Sequence, residues 1–517
     1  MSQFAAVLST VFSGEVMLAI AIGTLAGMVI GAMPGLSATM GVALLTPLTY
    51  TLSPSAAISM LAAVYTSAIY GGSITACLLH TPGTPASAAT AADGYALTKQ
   101  GQGMKAIGIS TVCSMIGGTI SAIALLLISE PLSRISLMFT PAEYMLLGLF
   151  GLTIIGSLSG DNLLKGLIAG AVGLVIACIG LDGMSGVPRY VFGITRLESG
   201  ISMVPAMIGM FSISQAMIIT EDLFKGKSLI VDDPSSTLKG RVLPTAKEMK
   251  RITPTVIKST IIGIFVGILP AAGGDIGSWV GYNNAKKSSK HPEEFGHGSI
   301  EGIAASETAN NAVTGGALIP LLTLGIPGSG TAAIMLGSLM IHGMQPGPEL
   351  FTKQAVQTYT IIVAFMLANI LMGILGLLIS KYVARVALVP MSILCPVIVA
   401  LSTIGSYAIN NSIFDVYVMA FFGLLGYLFR KANIGSAPVI LGVILSSMVE
   451  KNYRRMLILS RGAVLPYIFS HPIAIVLIVM ILLGVFSPFL VKKINSKIVI
   501  KEPAGDAPEI DIDVGED

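Results

Sequence analysis

The chain has 517 residues, 53% of them hydrophobic and 11% charged, with a net charge of +3, and its mean hydropathy is +0.83. A soluble domain carries roughly 25% charged residues, so a water-soluble fold is excluded, and basic residues gathered in loops imply no nucleic-acid partner. Between Met1 and Thr98 the only formal charges are Glu15 and Asp93, which makes the lipid bilayer the expected solvent. In hydrocarbon every backbone polar group needs a partner, and apolar runs near 20 residues select helices over a closed barrel.

The first apolar run follows Met-Ser-Gln-Phe with no basic region or cleavage site, which predicts a retained membrane segment. Full spans are predicted near residues 56–80, 105–129, 140–158, 162–180, 201–220, 355–380, 388–408, 412–430, 434–449 and 472–490. With the segments between them the fold is all-α, a polytopic membrane protein of about 12 spans. Residues 221–258 hold eight Lys or Arg (Lys225, Lys227, Lys239, Arg241, Lys247, Lys250, Arg251, Lys258) and predict a cytoplasmic connector. It separates a first membrane repeat, 1–220, from a second, 259–495. Lys451, Arg454, Arg455 and Arg461 predict another cytoplasmic loop, and residues 496–517 a disordered tail. Cys77, Cys113, Cys178 and Cys395 lie singly, as inert thiols do.

The two halves share a pattern. Gly27, Gly31 and Pro34, then Gly71-Gly72, then Pro82-Gly83 recur as Gly263, Gly267 and Pro270, then Gly315-Gly316, then Pro327-Gly328, at offsets of 236, 244 and 245 residues. Flanking charge reverses between the halves. Thr49 to Ser55 is uncharged where the second half has Lys286, Lys287 and Lys290; Lys99 and Lys105 face Gly343 to Thr352, which has no Lys or Arg. Two inverted repeats account for both reversals, and duplication in one orientation is the alternative.

Pro and Gly at the centre of an apolar run break a helix at membrane depth, a break tolerated where it is buried or lines a cavity. Four breaks are predicted: Met33 to Ser37, His80 to Pro85, Leu269 to Asp275 and Ile326 to Gly330. Half-helix N-termini there suit a carboxylate, and freed carbonyls with hydroxyl, amide or carboxylate oxygens suit sodium. The candidate substrate set is Gly35, Ser37, Thr39, Thr81, Gly83, Thr84, Asn310, Asn311, Gly328, Ser329 and Thr331. The candidate cation-coupling set is Asp275, Ser278, Glu307, Gly72 and Ser73, with sodium held through Pro34, Asp275 and Pro327. The competing reading is a packing kink with hydroxyls serving helix contact. His80 and His342 read as packing residues, and no cofactor is expected beyond a coupling sodium ion. The motif regions lack Lys and Arg, so an anion would be held by dipoles, hydroxyls and amides.

At Gly31-Ala-Met-Pro-Gly-Leu-Ser37, Tyr70-Gly-Gly-Ser73, His80-Thr-Pro-Gly-Thr-Pro85, Asp93-Gly-Tyr95, Gly267-Ile-Leu-Pro270, Ser306-Glu-Thr-Ala-Asn-Asn311, Gly325-Ile-Pro-Gly-Ser329 and His342-Gly-Met-Gln-Pro-Gly-Pro348 the chain resembles the TctA family. That family is the large membrane subunit of tripartite tricarboxylate transporters, and the resemblance runs from about Glu15 to Leu490. It implies a partner membrane subunit of four spans, a periplasmic solute-binding protein, and import of a small tricarboxylate or dicarboxylate across a bacterial inner membrane. Coupling to a sodium or proton gradient is also implied. By likeness to the ion-transporter superfamily it implies re-entrant hairpins at 20–50 and 260–283 and an elevator mechanism. A gated anion channel and a stand-alone transporter are the rival readings. The absence of a nucleotide loop or catalytic triad argues against a pump or an enzyme.

Overall fold

The computed structural model describes residues 2–33, 35–154, 163–182, 185–225, 241–269, 273–386 and 389–482. Pro34, Pro270, the middle of the connector, the ends of the spans expected at 140–158 and 472–490, and the tail at 496–517 lie outside the described residues.

After a short helix Ser2–Val11, the first half contains α1 (Gly14–Ala32), α2 (Ala38–Leu45), α3 (Pro54–Leu79), α4 (Ala88–Lys99), α5 (Gly103–Ser136), α6 (Pro141–Ile154), α7 (Leu163–Ala177) and α8 (Met203–Phe224). The second half repeats the order with α9 (Ala246–Ile268), α10 (Gly273–Ser288), α11 (Ile300–Leu324), α12 (Gly330–Ile341), α13 (Ala355–Val386), α14 (Met391–Asn410), α15 (Ile413–Lys431) and α16 (Ala437–Leu459). A helix Pro472–Leu482 follows. Eight of the described helices are long and apolar enough to cross a membrane, and four more apolar helices are shorter. The chain is thus an all-helical, multi-pass membrane protein. Its one piece of sheet among the described residues is a two-stranded hairpin, Gly180–Leu181 with Pro188–Arg189.

Two elements differ from expectation. Residues 246–258, read as connector from their basic residues, form the first turns of α9, because Thr245 and Glu248 close a reciprocal capping box that starts the helix there. The hairpin helix α1 likewise starts at Gly14, where the Ser13 hydroxyl accepts from the Val16 amide.

Glycine sets the inner packing. A Cβ on Gly23, Gly27 or Gly31 would stand 2.4, 2.7 or 2.0 Å from the carbonyl oxygens of Met60, Val64 and Ala68, so α1 lies parallel to α3 at backbone contact. Gly263 and Gly267 press α9 on α11 in the same way, at 2.4 and 2.5 Å from the oxygens of Ala309 and Val313. The two halves then interlock: α3 and α11 each pack on the long helix of the other half, α13 and α5. At the periphery α8 lies on α14 and α15, and α16 lies on α6 and α7.

Hydrogen bonds fix the relative direction of equivalent helices. Thr39 with Thr331 and Thr46 with Ser338, both at 2.9 Å, followed by Thr49 with His342 at 3.1 Å, make α2 and α12 parallel. In the first half α2 folds back along α1, with Gly41 against Ile30, and α4 follows α3, with Gly94 against Cys77. So α4 runs against α2, whereas α12 runs with it: equivalent helices point in opposite directions.

The same tracing corrects the loop at Lys451 to Arg461. Lys431 and Lys225 share Glu221 at the connector end of α8, and Lys165 at the start of α7 donates to the Ala432 carbonyl beside them. From there α16 rises about 1.5 Å per residue, reaching a network at its other end where Arg189 pairs with Glu450 (2.7 Å) and Arg454 with Asp182 (2.8 Å). Lys451, Arg454, Arg455 and Arg461 therefore belong to the face opposite the connector. Counting cations alone missed the two acids that engage Arg189 and Arg454.

Candidate functional site

Helices α3 and α11 are buried along nearly their whole length. They cross near their midpoints, where the Asn311 amide donates to the Thr66 carbonyl (3.2 Å) and hydroxyl (3.1 Å), and that hydroxyl donates to Asn369 Oδ1 (2.7 Å). Polar groups lodged among apolar helices find each other because nothing else can satisfy them. The four breaks lie around this crossing.

On one side the N-termini of α2 and α12 lie next to each other. Ser37 caps α2 by accepting from the Met40 amide, and Ser329 caps α12 by accepting from the Ala332 amide. The Tyr65 hydroxyl meets Ser329 Oγ at 3.0 Å, and Thr39 meets Thr331 one turn further on. Gly35, at the hairpin tip, has φ of +84°, a conformation that a side chain disfavours. Gly328 permits the break to touch the hairpin helix: a Cβ there would be 2.4 Å from the Gly267 oxygen. Gly83 does the same in the first half, 2.0 Å from the Gly31 oxygen.

On the other side α10 begins beside the segment Pro85–Ser87 that leads into α4. A Cβ on Gly274 would meet Asn310 Oδ1 at 2.6 Å and the Ala86 Cβ at 3.2 Å. Asn310 is fully buried, yet both its amide nitrogen and its oxygen lack a hydrogen-bond partner in the structure. An unsatisfied buried amide costs about 1–3 kcal/mol per group, which sets Asn310 apart from its neighbour Asn311, whose amide nitrogen is bonded. Asp275 stands open in the first turn of α10, close enough to Tyr65 to interact electrostatically. One turn on, the buried Ser278 hydroxyl is also unpartnered. Thr84 and Ser87 bond each other at 3.2 Å over Gly72, whose lack of a side chain admits them.

Four helix N-termini thus lie around the crossing of α3 and α11, each bringing the positive end of a dipole. No Lys or Arg is bonded to any of these capping residues among those described.

Glu307 belongs elsewhere. It is fully buried one turn from Asn310 and Asn311, but it faces Thr90, which donates at 2.5 Å, and Ser114, which donates at 2.8 Å. Ser306 joins Thr90, and Ser73 joins Ser110 at 2.6 Å nearby. The expected cation-coupling residues therefore divide into two groups, Asp275 with Ser278 and Glu307 near Ser73. Thr81 is not drawn to the centre; its hydroxyl turns back to the Leu79 carbonyl. Pro327 is buried in its break, and Pro34 lies outside the described residues. His80 stacks on Tyr95 at 4.6 Å, and His342 hydrogen-bonds Thr49.

Sequence reasoning missed Tyr65, Thr66, Thr90, Ser110, Ser114 and Asn369. Asn369 carried a signal, an amide alone in a long apolar run. The hydroxyls carried none, since Thr90 and Ser114 take their meaning from Glu307, and Tyr65 and Thr66 theirs from Ser329 and Asn311, all far away in sequence.

This architecture is that of a multi-pass helical membrane protein built from two oppositely directed halves around a polar centre. The model of the tripartite tricarboxylate transporter TctA family matches residues 17–441, and the chain belongs to that family. A protein of Agrobacterium vitis described as an uncharacterized 52.8 kDa protein in the TAR-I ttuC' 3' region is 36% identical over 454 residues, 88% of this chain and 89% of that one. Another from the same organism, an uncharacterized protein in the TAR-II ttuC' 3' region, is 39% identical over 212 residues, 41% of this chain and 87% of that one. No solved structure matches the chain.

Proposed function

We propose that this chain is the large membrane subunit of a tripartite secondary transporter that imports a small tricarboxylate or dicarboxylate across the bacterial inner membrane. A four-span membrane subunit and a periplasmic solute-binding protein complete the system. The observation that carries this reading is the placement of four helix N-termini around the crossing of α3 and α11, where Asn310 is unsatisfied, a geometry suited to a carboxylate. The basic residues of the connector support a cytoplasmic side for its face.

Import of an anion into a negative cytoplasm costs about 2.3 kcal/mol per charge per 100 mV. Cations bound with the substrate cancel that cost, and the two acid groups supply places for them: Asp275 and Ser278 beside the carboxylate site, Glu307 in its hydroxyl shell. Sodium and protons both suit such oxygens. The hairpins and broken helices then carry the loaded site between faces in an elevator motion.

The test is uptake of labelled citrate and succinate into proteoliposomes holding the three components, with sodium and pH gradients imposed separately. Saturable, uphill uptake that needs one gradient and the solute-binding protein is expected. Uptake indifferent to both gradients rejects coupling, and non-saturating flux without accumulation makes the protein a channel.

A further inference from the structure

The sequence motifs contain no basic residue, yet the structure links one to the tip of the first hairpin through Gln215. Gln215 on α8 is nearly buried, and its Nε2 lies 3.4 Å from where a Cβ on Gly35 would stand. Its Oε1 accepts from Arg430, which reaches back from the last turn of α15. Two features of the backbone make this contact possible. Gly426 and Gly209 let α15 and α8 touch, with virtual Cβ atoms 2.8 and 2.3 Å from the oxygens of Met210 and Met419. A π turn at Gly209–Ile213 ends two residues before Gln215 and shifts the phase of the helix there.

The neighbouring cations behave differently. Lys431 and Lys225 both bond Glu221, whereas Arg430 has no acidic partner among the described residues and is bonded only to a neutral amide. Arg430 is exposed at the connector end of α15, and a guanidinium bonded only to a neutral amide keeps its charge available for an anionic ligand. Gly35 is two residues from Ser37, the cap of α2, so this guanidinium approaches the carboxylate site from the connector face.

We propose that Arg430, held in place by Gln215, binds a second carboxylate group of the substrate while the first engages the helix N-termini, and so selects di- and tricarboxylates over monocarboxylates. This rests on the carboxylate reading above and adds the residue that sets the choice between one carboxylate group and several. The planar fork of Arg suits bidentate capture of a carboxylate better than Lys does.

The experiment is counterflow exchange in proteoliposomes, which needs no gradient, with succinate, citrate and butyrate as probes. Arg430→Gln should raise KM for succinate and citrate about tenfold or more, the scale of a lost charge-assisted hydrogen bond, and change that for butyrate by about twofold at most. Arg430→Lys should fall between. Gln215→Glu, which supplies Arg430 with an internal carboxylate, should shift KM in the same direction as Arg430→Gln. If Arg430→Gln elutes as an aggregate, Arg430→Lys and Gln215→Glu decide. Unchanged KM values, or equal losses for succinate and butyrate, overturn the proposal. A wild-type protein that exchanges succinate or citrate while the variants keep its selectivity sinks this inference alone; a wild type that exchanges no carboxylate sinks the functional reading and this one together.

Discussion

Asn310 shows what a single residue can reveal that its codon position cannot. The sequence marks it as an amide in an apolar helix, beside Asn311, and nothing distinguishes the two. In the fold Asn311 spends its amide protons on Thr66 while Asn310 is left with neither end satisfied. Replacing an unsatisfied buried polar group by an apolar one of similar size is nearly neutral or stabilising. Asn310→Leu should therefore keep or raise the melting temperature of the purified protein while citrate uptake falls about tenfold or more. A variant that melts several degrees lower yet transports normally would make Asn310 a packing residue. Hydroxyls at the breaks were legible because Pro and Gly announce the break; the shell around Glu307 was not, because Thr90 and Ser114 come from two other helices.

At the level of elements, the breaks and the recurrence of the halves could be read from Gly and Pro spacing. The extent of α9 could not, since the basic residues that suggested a loop sit on a helix whose start is set by Thr245 and Glu248. The spacing of Gly23, Gly27 and Gly31 in α1 suits close helix contact, but it does not name the partner, which is the backbone of α3 at Met60, Val64 and Ala68. That contact gives a graded expectation. Gly31→Val drives a branched side chain onto the Ala68 oxygen, 2.0 Å from the Cβ position, and overpacking of this kind costs roughly 1–3 kcal/mol or more. Gly14→Ala, with nothing within 4 Å, should leave stability unchanged. Thermal unfolding in detergent measures both, and equal melting temperatures for the two variants would refute the close α1 to α3 contact.

For the whole molecule, opposite direction of the halves was inferable from charge asymmetry around the motifs, but the sidedness of α16 was not. Its basic end looks cytoplasmic by count, and only the ion pairs with Asp182 and Glu450 and the path of α7 show that it lies across the membrane from the connector. Single cysteines in place of Lys451 and Lys247 should thus react with a membrane-impermeant maleimide from opposite sides of oriented vesicles. Labelling of both from one side would break the tracing. The exchange of outer helices, α8 onto α14 and α15 and α16 onto α6 and α7, also governs how the molecule is made. When the ribosome has delivered the first 225 residues, α6 and α7 still lack the helix that covers them, and α8 lacks α14 and α15, on which it lies. The nascent half must wait in the bilayer, with its grooves filled by lipid or an insertase, until almost the last span is synthesised and both halves close at once.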